Sequence, residues 1–233
     1  MKVSVIIPAL NESANIAAAI LSARNQDGEI EVIVADGGSS DDTVEIARRD
    51  AHVLSTGRGR GLQMNAGAGH AIGDLLLFLH ADSLLHPDAL AALRRTFTDP
   101  AIVGGTFTLK FDSEGFWLGL YSVFTRLKFR YFHYGDQGIF VRRSAFEKLG
   151  GFKEIPLMED LDFLERLRKV GRVTLIDRPV TTSARRFREN GSFRQELLNV
   201  LLVCLYILGA KPATLARWYS RDWSKFRWLF LSL

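Results

Sequence analysis

The chain has 233 residues, of which 47% are hydrophobic and 24% are charged. This length and composition suffice for one large α/β domain or two small ones, and they exclude a disordered chain. Cys204 is the only cysteine, which excludes a disulfide framework and a cysteine-based zinc site and is typical of a reducing compartment. The first apolar run has only the length of a strand, so we expect no cleavable export signal.

The net charge of +4 is distributed unevenly. Residues 1–165 carry 16 Lys and Arg against 22 Asp and Glu, a net of −6, whereas residues 166–233 carry 14 against 4, a net of +10. Three of the four tryptophans lie in this basic part. Basic segments rich in aromatic rings favour an anionic partner such as a membrane surface or an acidic substrate. The acidic first part argues against a nucleic-acid partner.

Apolar runs alternate with helical patterns over the first hundred residues. The predicted strands are 2–10, 30–38, 51–56 and 74–81, and the predicted helices are 13–26, 39–50, 61–72 and 86–97. This alternation predicts an α/β fold with a mostly parallel, Rossmann-like sheet flanked by helices on both faces.

The regular alternation of strands and helices ends after residue 100. The predicted strands are 104–112, 135–143, 172–177 and 180–187, and the predicted helices are 115–132, 158–171 and 192–210. An aromatic and basic tail follows. With no repeat and no clear linker, we expect one domain with a C-terminal helical appendage.

Polar residues follow three of the predicted strands. Glu12 follows the first strand, Asp36 ends the second, and Asp82 follows the fourth. Because ligands of open parallel sheets bind outside the carboxyl ends of the strands, we expect these carboxylates to converge on one crevice.

Five motifs occur in order along the chain: VIIPALNES, VIVADGGSSDDT, LFLHADS, GDQGIFVRRSAFEKLGGF and MEDLDF. Together they resemble family 2 of the nucleotide-sugar glycosyltransferases, with the GT-A fold, over residues 2–190. The small size and the HAD variant of the third motif resemble the radical SAM/selenodomain-associated transferase subgroup. The resemblance implies a nucleotide-sugar half over residues 1–100 and an acceptor half over residues 101–190.

The resemblance implies that Asp36 accepts a hydrogen bond from the imide N–H of uracil or thymine, in a UDP- or TDP-sugar donor. The alternative is an Asp that caps its own turn, as is usual in Asp-Gly. Pro8, Ala9 and Glu12 are implied to line the base and ribose. Glu12 has the equal alternative of a helix-start residue.

Asp82 corresponds to the last Asp of the family's D-x-D-type motif, which implies that it binds Mn²⁺ or Mg²⁺. Hard divalent ions prefer oxygen ligands and neutralise a leaving diphosphate. His80 stands where the family often has the first Asp, and a non-ligand role for it is favoured over metal ligation. His80 and Ala81 are counted with the nucleotide-binding residues.

The glycine-rich stretch STGRGRGLQMNAG precedes and enters the third predicted helix, and it is the candidate phosphate site. Backbone N–H groups and a helix N-terminus attract anions, and Arg58 and Arg60 offer bidentate contacts. The stretch resembles the family's A-R-N-x-G segment, which implies a nucleotide contact for Asn65, although Met64 replaces the usual Arg. The alternative is a flexible basic loop.

The resemblance assigns the catalytic base to Asp160, with Glu159 beside it, in an inverting enzyme whose acceptor hydroxyl must lose a proton. The alternative is acidic residues that satisfy a helix N-terminus. Asp136, Gln137 and Arg186 are candidate contacts for the acceptor or the donor sugar. A Q-x-x-R-W motif is absent, which favours transfer of a single sugar.

Residues 191–233 mix apolar, aromatic and basic side chains, which suits a membrane interface and a lipid-linked acceptor. Such a protein would be cytoplasmic and peripheral at the inner face of the cell membrane. The alternative is a homodimer interface or a core helix. Two other functions compete with sugar transfer: a nucleotidyltransferase of related fold, and a non-catalytic nucleotide-sugar-binding or membrane-docking module.

Overall fold

The apolar runs form the strands of an eight-stranded sheet in a computed structural model, which describes residues 1–113, 119 and 135–219. The strands are β1 (Val3–Ala9), β2 (Ile30–Asp36), β3 (His52–Ser55), β4 (Leu75–Phe78), β5 (Ser83–Leu84), β6 (Ile102–Phe111), β7 (Ile139–Arg142) and β8 (Arg172–Thr182). Their order across the sheet is β3-β2-β1-β4-β7-β6-β8-β5.

Helices cover both faces of this sheet. The helices are α1 (Ile16–Arg24), α2 (Thr43–Ala47), α3 (Arg60–His70), α4 (Ala89–Thr96), α5 (Arg143–Leu149), α6 (Glu159–Leu167), α7 (Arg185–Asn190), α8 (Ser192–Ile207) and α9 (Pro212–Tyr219). A 3₁₀ turn at Gly135–Gln137 precedes β7. The helix predicted over residues 115–132 and the tail after residue 219 lie outside the described residues.

The first four long strands are parallel, as predicted. β1 pairs in parallel with β2 and with β4, and β2 pairs in parallel with β3. Every residue of β1 and β4 is buried, because helices cover both faces of these strands. The sequences of such strands are continuous apolar runs. Since the strands run the same way, their carboxyl ends meet at one edge.

The second half makes the sheet mixed. β7 lies antiparallel between β4 and β6, β8 is parallel to β6, and the short β5, which was not predicted, is antiparallel to β8. The two strands predicted over 172–177 and 180–187 were wrong in their bounds. The chain around Pro179 bulges where the β6–β8 register shifts, so a residue that cannot donate a backbone hydrogen bond is accommodated without ending the strand. Residues 185–190 are helical.

The core consists of one apolar layer on each face of the sheet. In β1, Val3, Val5 and Ile7 face the layer that includes α1 and α4, whereas Ile6 faces the layer that includes α3, α5 and α6. This alternation follows from the two-residue period of a strand. Gly67 of α3 allows that helix to lie directly on β1, because a Cβ added there would be 2.4 Å from Cγ2 of Ile6.

The C-terminal helices extend the domain beyond its sheet. The helix predicted over 192–210 is confirmed as α8, while α9 was not predicted. Among the described residues, no helix combines the length and the apolarity that crossing a bilayer requires.

The contact of α3 with β1 predicts opposite effects for two substitutions in one helix. Gly67→Ala should lower the free energy of unfolding by about 1–3 kcal/mol, because the methyl group overpacks the contact with Ile6. Gly69→Ala is the matched control. Its Cβ would meet nothing within 4 Å, so it should raise that free energy by up to about 1 kcal/mol through helix propensity. Urea unfolding measures both, and equal effects would contradict the packing argument.

Candidate active site

A cavity of about 470 Å³ opens at the sheet edge where β1 and β4 end. Nine of the predicted site residues line it: Pro8, Ala9, Glu12, Arg60, His80, Ala81, Asp82, Asp136 and Asp160. They come from the ends of β1 and β4, the start of α3, the 3₁₀ turn and the start of α6. Of the three carboxylates predicted to converge at the strand ends, Glu12 and Asp82 therefore share one cavity, whereas Asp36 is not among its lining residues.

Asp82 lines this cavity with both acidic and basic groups around it. Burial raises the pKa of its carboxyl above the ordinary range. The charges of His80 and Arg185 oppose this rise, whereas Asp136 and Glu12 add to it. Among the described residues, the Asp82 carboxylate has no ion-pair partner, and its nearest hydrogen-bond contact is a long one of 3.5 Å from Oγ of Ser83. The carboxylate is thus available to a cation from the cavity.

Two neighbouring carboxylates do have basic partners. Nη2 of Arg185 lies 3.0 Å from Oε1 of Glu12, and Nδ1 of His80 lies 3.3 Å from Oδ1 of Asp136. His80 therefore contacts a carboxylate of the cavity wall. The described residues contain no group of three His, Cys, Asp or Glu side chains arranged to hold a metal ion.

Asp160 is the second residue of α6 and lines the cavity. Its Oδ1 accepts a hydrogen bond of 2.8 Å from the backbone N–H of Leu161. Met158, which precedes the helix, has φ of 69°, a left-handed conformation that is uncommon for a residue with a long side chain and that occurs at functional sites. The backbone is therefore strained at the point where it turns Asp160 toward the cavity.

Glu159 does not line the cavity. It is 1% exposed, and its Oε1 lies 2.6 Å from Nε of Arg60, whereas its Oε2 has no hydrogen-bond partner. Burial raises the pKa of Glu159, and Arg60 opposes that rise. Glu159 thus contacts the cavity-lining Arg60 from outside the cavity, and a catalytic role for Glu159 stays a prediction.

The charged form of Arg60 is stabilised by the carboxylates around it. Burial by itself would lower the pKa of Arg60, but the carboxylates of Glu159, Asp160 and Asp136 raise it on balance. The guanidinium therefore stays charged at the start of α3. Helix N-termini and Arg side chains both attract anions, so this end of the cavity suits a phosphate group.

Asp36 does not line the cavity. Its Oδ2 accepts hydrogen bonds of 2.9 and 3.0 Å from the backbone N–H groups of Gly38 and Ser39, and its Oδ1 accepts one from the Ser39 hydroxyl. These are the contacts of the turn-capping alternative. A contact of Asp36 with a nucleobase stays a prediction.

Four more predicted residues lie outside the cavity lining. Asn65 donates to the carbonyl of Phe152 at 2.9 Å and accepts from its N–H at 2.8 Å, so its amide joins α3 to the segment after α5. Arg58 is exposed, and Gln137 is fully buried. Arg186 lies in α7, and its side chain is outside the described residues.

Several lining residues were missed by sequence reasoning. Gln63 donates hydrogen bonds of 2.8 Å to the carbonyls of Ala9 and Ala35 and so joins α3 to the ends of β1 and β2. An apolar wall lines the cavity on the side of the C-terminal helices: Phe111, Leu157, Met158, Phe187, Leu202, Val203 and Tyr219. Helical spacing of apolar residues in 192–210 was the available signal, but it could not say that one face lines a cavity.

Comparison with known proteins agrees with this geometry. Residues 4–150 match the family described as Glycosyl transferase family 2. A PGL/p-HBAD biosynthesis glycosyltransferase of Mycobacterium bovis is 35% identical over 175 residues, which cover 69% of this chain and 67% of the relative.

Two solved structures share the fold at 22% identity. One is a mannosyltransferase of Pyrobaculum calidifontis in complex with GDP-Man and Mn²⁺, with a TM-score of 0.64 over 77% of this chain. The chain spans only 56% of that protein. The other is glucosyl-3-phosphoglycerate synthase of Mycobacterium tuberculosis with Mn²⁺, UDP and glucosyl-3-phosphoglycerate, with a TM-score of 0.62 over 87% of this chain and 80% of that one.

The Arg60–Glu159 ion pair predicts a stability defect that depends on pH. Arg60→Met should lower the free energy of unfolding by about 2 kcal/mol at pH 8, because it leaves a buried carboxylate without its cation. The loss is smaller than for a fully buried pair because solvent screens the Arg60 side chain, which is 39% exposed. A carboxyl whose pKa is raised in the folded state contributes stability below its unfolded pKa and loses it as pH rises, so the defect should shrink toward pH 4.

Urea unfolding of four proteins measures this effect: wild type, Arg60→Met, Glu159→Gln and the double variant. In the double variant the unpaired charge is absent, so its stability should recover toward that of Glu159→Gln. Additive losses that do not change with pH would contradict the ion-pair account.

Proposed function

Since this chain belongs to glycosyl transferase family 2 and is a glycosyltransferase, we propose that it moves a sugar from a UDP- or TDP-sugar to a hydroxyl of a lipophilic acceptor, with inversion at the anomeric carbon. The observation that carries this proposal is the single cavity lined by both Asp82 and Asp160. One carboxylate suits the donor diphosphate with its cation, and the other suits the acceptor hydroxyl. Membership of the family sets aside the nucleotidyltransferase and the non-catalytic module.

In the proposed reaction, Asp160 accepts the proton of the acceptor hydroxyl as its oxygen attacks the anomeric carbon. The bond from that carbon to the diphosphate breaks, and the diphosphate leaves with the electron pair. A base positioned in this way contributes about 10²–10⁴ in rate. The strained turn at Met158 and the hydrogen bond from Leu161 fix the direction of the Asp160 carboxylate.

The residues around Asp82 fit a divalent cation. Its carboxylate faces the cavity without a basic partner among the described residues, and burial, with nearby acidic groups adding to it, raises its pKa. Carboxylate oxygens, with diphosphate oxygens as further ligands, suit Mn²⁺ or Mg²⁺, and both compared structures contain Mn²⁺. When bound, such an ion would neutralise the charge that develops on the leaving diphosphate. Arg60 would contribute a second, fixed positive charge at the start of α3.

The donor base and ribose are assigned to the end formed by Pro8, Ala9 and Glu12. These three residues line the same cavity as Asp82, at the carboxyl end of β1, where ligands of such sheets bind.

The acceptor is assigned to the part of the cavity beside the apolar wall. That wall offers aromatic and aliphatic side chains such as Phe187, Leu202 and Tyr219, and burying apolar acceptor surface against it would be favourable by about 25 cal/mol per Å². The wall therefore suits a lipophilic alcohol better than a free sugar, which would leave its hydroxyls without partners.

We test the base assignment with Asp160→Asn. This variant should retain donor binding and lose transfer by about 10²–10⁴, because an amide does not accept the proton. The matched control is Asp162→Asn on the same helix. Asp162 pairs with Lys153 at 2.6 Å and Arg166 at 2.7 Å outside the cavity, so that variant should lose stability but keep transfer. Turnover of a panel of UDP- and TDP-sugars is measured, and normal transfer by Asp160→Asn would refute the assignment.

We test the metal assignment with Asp82→Asn and with the surface control Asp88→Asn. Asp82→Asn should abolish the rise in melting temperature that UDP and Mn²⁺ together give the wild type, while Asp88→Asn keeps it. Without metal, the effect of Asp82→Asn on stability is expected to have the opposite sign. The raised pKa of Asp82 means that its charged form destabilises the fold as pH increases, so Asp82→Asn should gain stability relative to wild type between pH 4 and pH 8.

Thermal unfolding with and without UDP and Mn²⁺ provides both readouts. If Asp82→Asn were stabilised by UDP and Mn²⁺ as much as the wild type, the cation would have to bind elsewhere.

A further inference from the structure

Helix α8 presents apolar side chains on two opposite sides. Its inner face contributes Leu202 and Val203 to the wall of the cavity, together with Gln195 and Asn199. Its outer face carries large apolar side chains that are exposed: Leu197, Val200, Leu201, Ile207 and Leu208. Leu208, directly after the helix, is 83% exposed, and the free thiol of Cys204 lies on the same face.

The outer face is a continuous stripe. Positions 197, 200, 201, 204 and 208 have the i, i+3, i+4, i+7, i+11 spacing of one helix face, and position 207 lies beside 204 and 208, so these side chains lie on one side. Solvent-facing sides of surface helices ordinarily carry polar residues, and a contiguous exposed apolar patch marks an interaction site. Something apolar should therefore cover this stripe in the working protein.

The charge around the stripe identifies the kind of partner. Residues 185–233 contain nine Lys and Arg and three Asp and Glu, and the exposed cations Arg194, Lys211 and Arg217 lie on or beside α8. Trp218 of α9 is 40% exposed. Apolar side chains surrounded by basic residues and an aromatic ring are typical of a helix that lies in the interface of an anionic bilayer. A second copy of the chain would bring the same positive charge against itself.

We propose that the outer face of α8 docks on an anionic membrane surface and lies in its plane. Each basic residue near such a surface adds to the attraction, and the apolar stripe enters the headgroup boundary. Because the opposite face of the same helix lines the cavity, docking would bring the cavity beside the bilayer. A membrane-borne lipophilic acceptor would then reach Asp160 from that side, a consequence that rests on the proposed function.

The test is flotation of the full chain with lipid vesicles. Wild type should float with vesicles that contain phosphatidylglycerol and much less with vesicles of phosphatidylcholine alone. The triple variant Leu197→Gln, Leu201→Gln, Leu208→Gln should float about tenfold less, because glutamine keeps the helix but removes the apolar stripe. The matched control replaces three exposed apolar residues on other elements, Leu21, Ile72 and Leu84, by Gln and should float like wild type.

Three results would overturn the proposal: wild type fails to float with anionic vesicles, the α8 variant floats as well as the control, or neutral vesicles bind as strongly as anionic ones. Size-exclusion chromatography with light scattering is run on the same proteins. A wild-type dimer that the α8 substitutions convert to a monomer, without flotation of either, would assign the face to a second copy instead. Flotation requires neither donor nor metal, so its outcome is independent of the roles proposed for Asp82 and Asp160.

Discussion

Crowding of carboxylates at one edge of the sheet is the constraint on which the site depends. The parallel strands β1 and β4 end side by side, so Glu12 and Asp82 enter the same cavity, and Asp136 joins them from the turn before β7. Like charges in a partly buried space repel each other. Arg185 compensates Glu12 and His80 contacts Asp136, which leaves Asp82 as the carboxylate whose protonation is favoured by its surroundings. Bound cationic charge would stabilise this arrangement.

The ion pair between Arg60 and Glu159 connects the start of α3 to the start of α6. Arg60 begins α3, on the side assigned to the diphosphate, and Glu159 begins α6, beside the assigned base Asp160. A buried carboxylate that holds an arginine in one rotamer orders that side chain before phosphate binds. The arginine then loses less conformational entropy on binding phosphate. Gln63 and Asn65 tie α3 to the sheet and to the segment after α5, so the helix that presents Arg60 is fixed at several points.

Helix α8 links the chemistry of the cavity to the surface of the protein. Its inner face completes the wall near Asp160, and its outer face carries the exposed apolar stripe. A helix that is apolar on both sides is ordinarily buried on both sides. Here one side packs on the domain and the other carries the proposed docking stripe. The same sixteen-residue helix therefore serves both packing and recognition.

The sequence by itself determined the parallel half of the sheet and most of the cavity at its edge. Apolar runs and helical periods are local signals, and a residue that follows a parallel strand lies at the edge where ligands of such sheets bind. Glu12 and Asp82 could be found for that reason, whereas Pro8 and Ala9 were implied by the family resemblance. Asp36, predicted by the same rule, does not line the cavity.

Tertiary structure decided the contacts between residues far apart in the chain. The pairing of Arg60 with Glu159, the antiparallel insertion of β7 between β4 and β6, and the apolar wall formed by α8 depend on how separate elements pack. The bulge at Pro179 kept β8 continuous where a local rule predicted a break. The local pattern of apolar and polar residues predicts whether a segment is a strand or a helix and which of its faces is buried. Which charge meets which partner depends on the packing of the whole domain, because the energies of burial and ion pairing are set by the surroundings of each group.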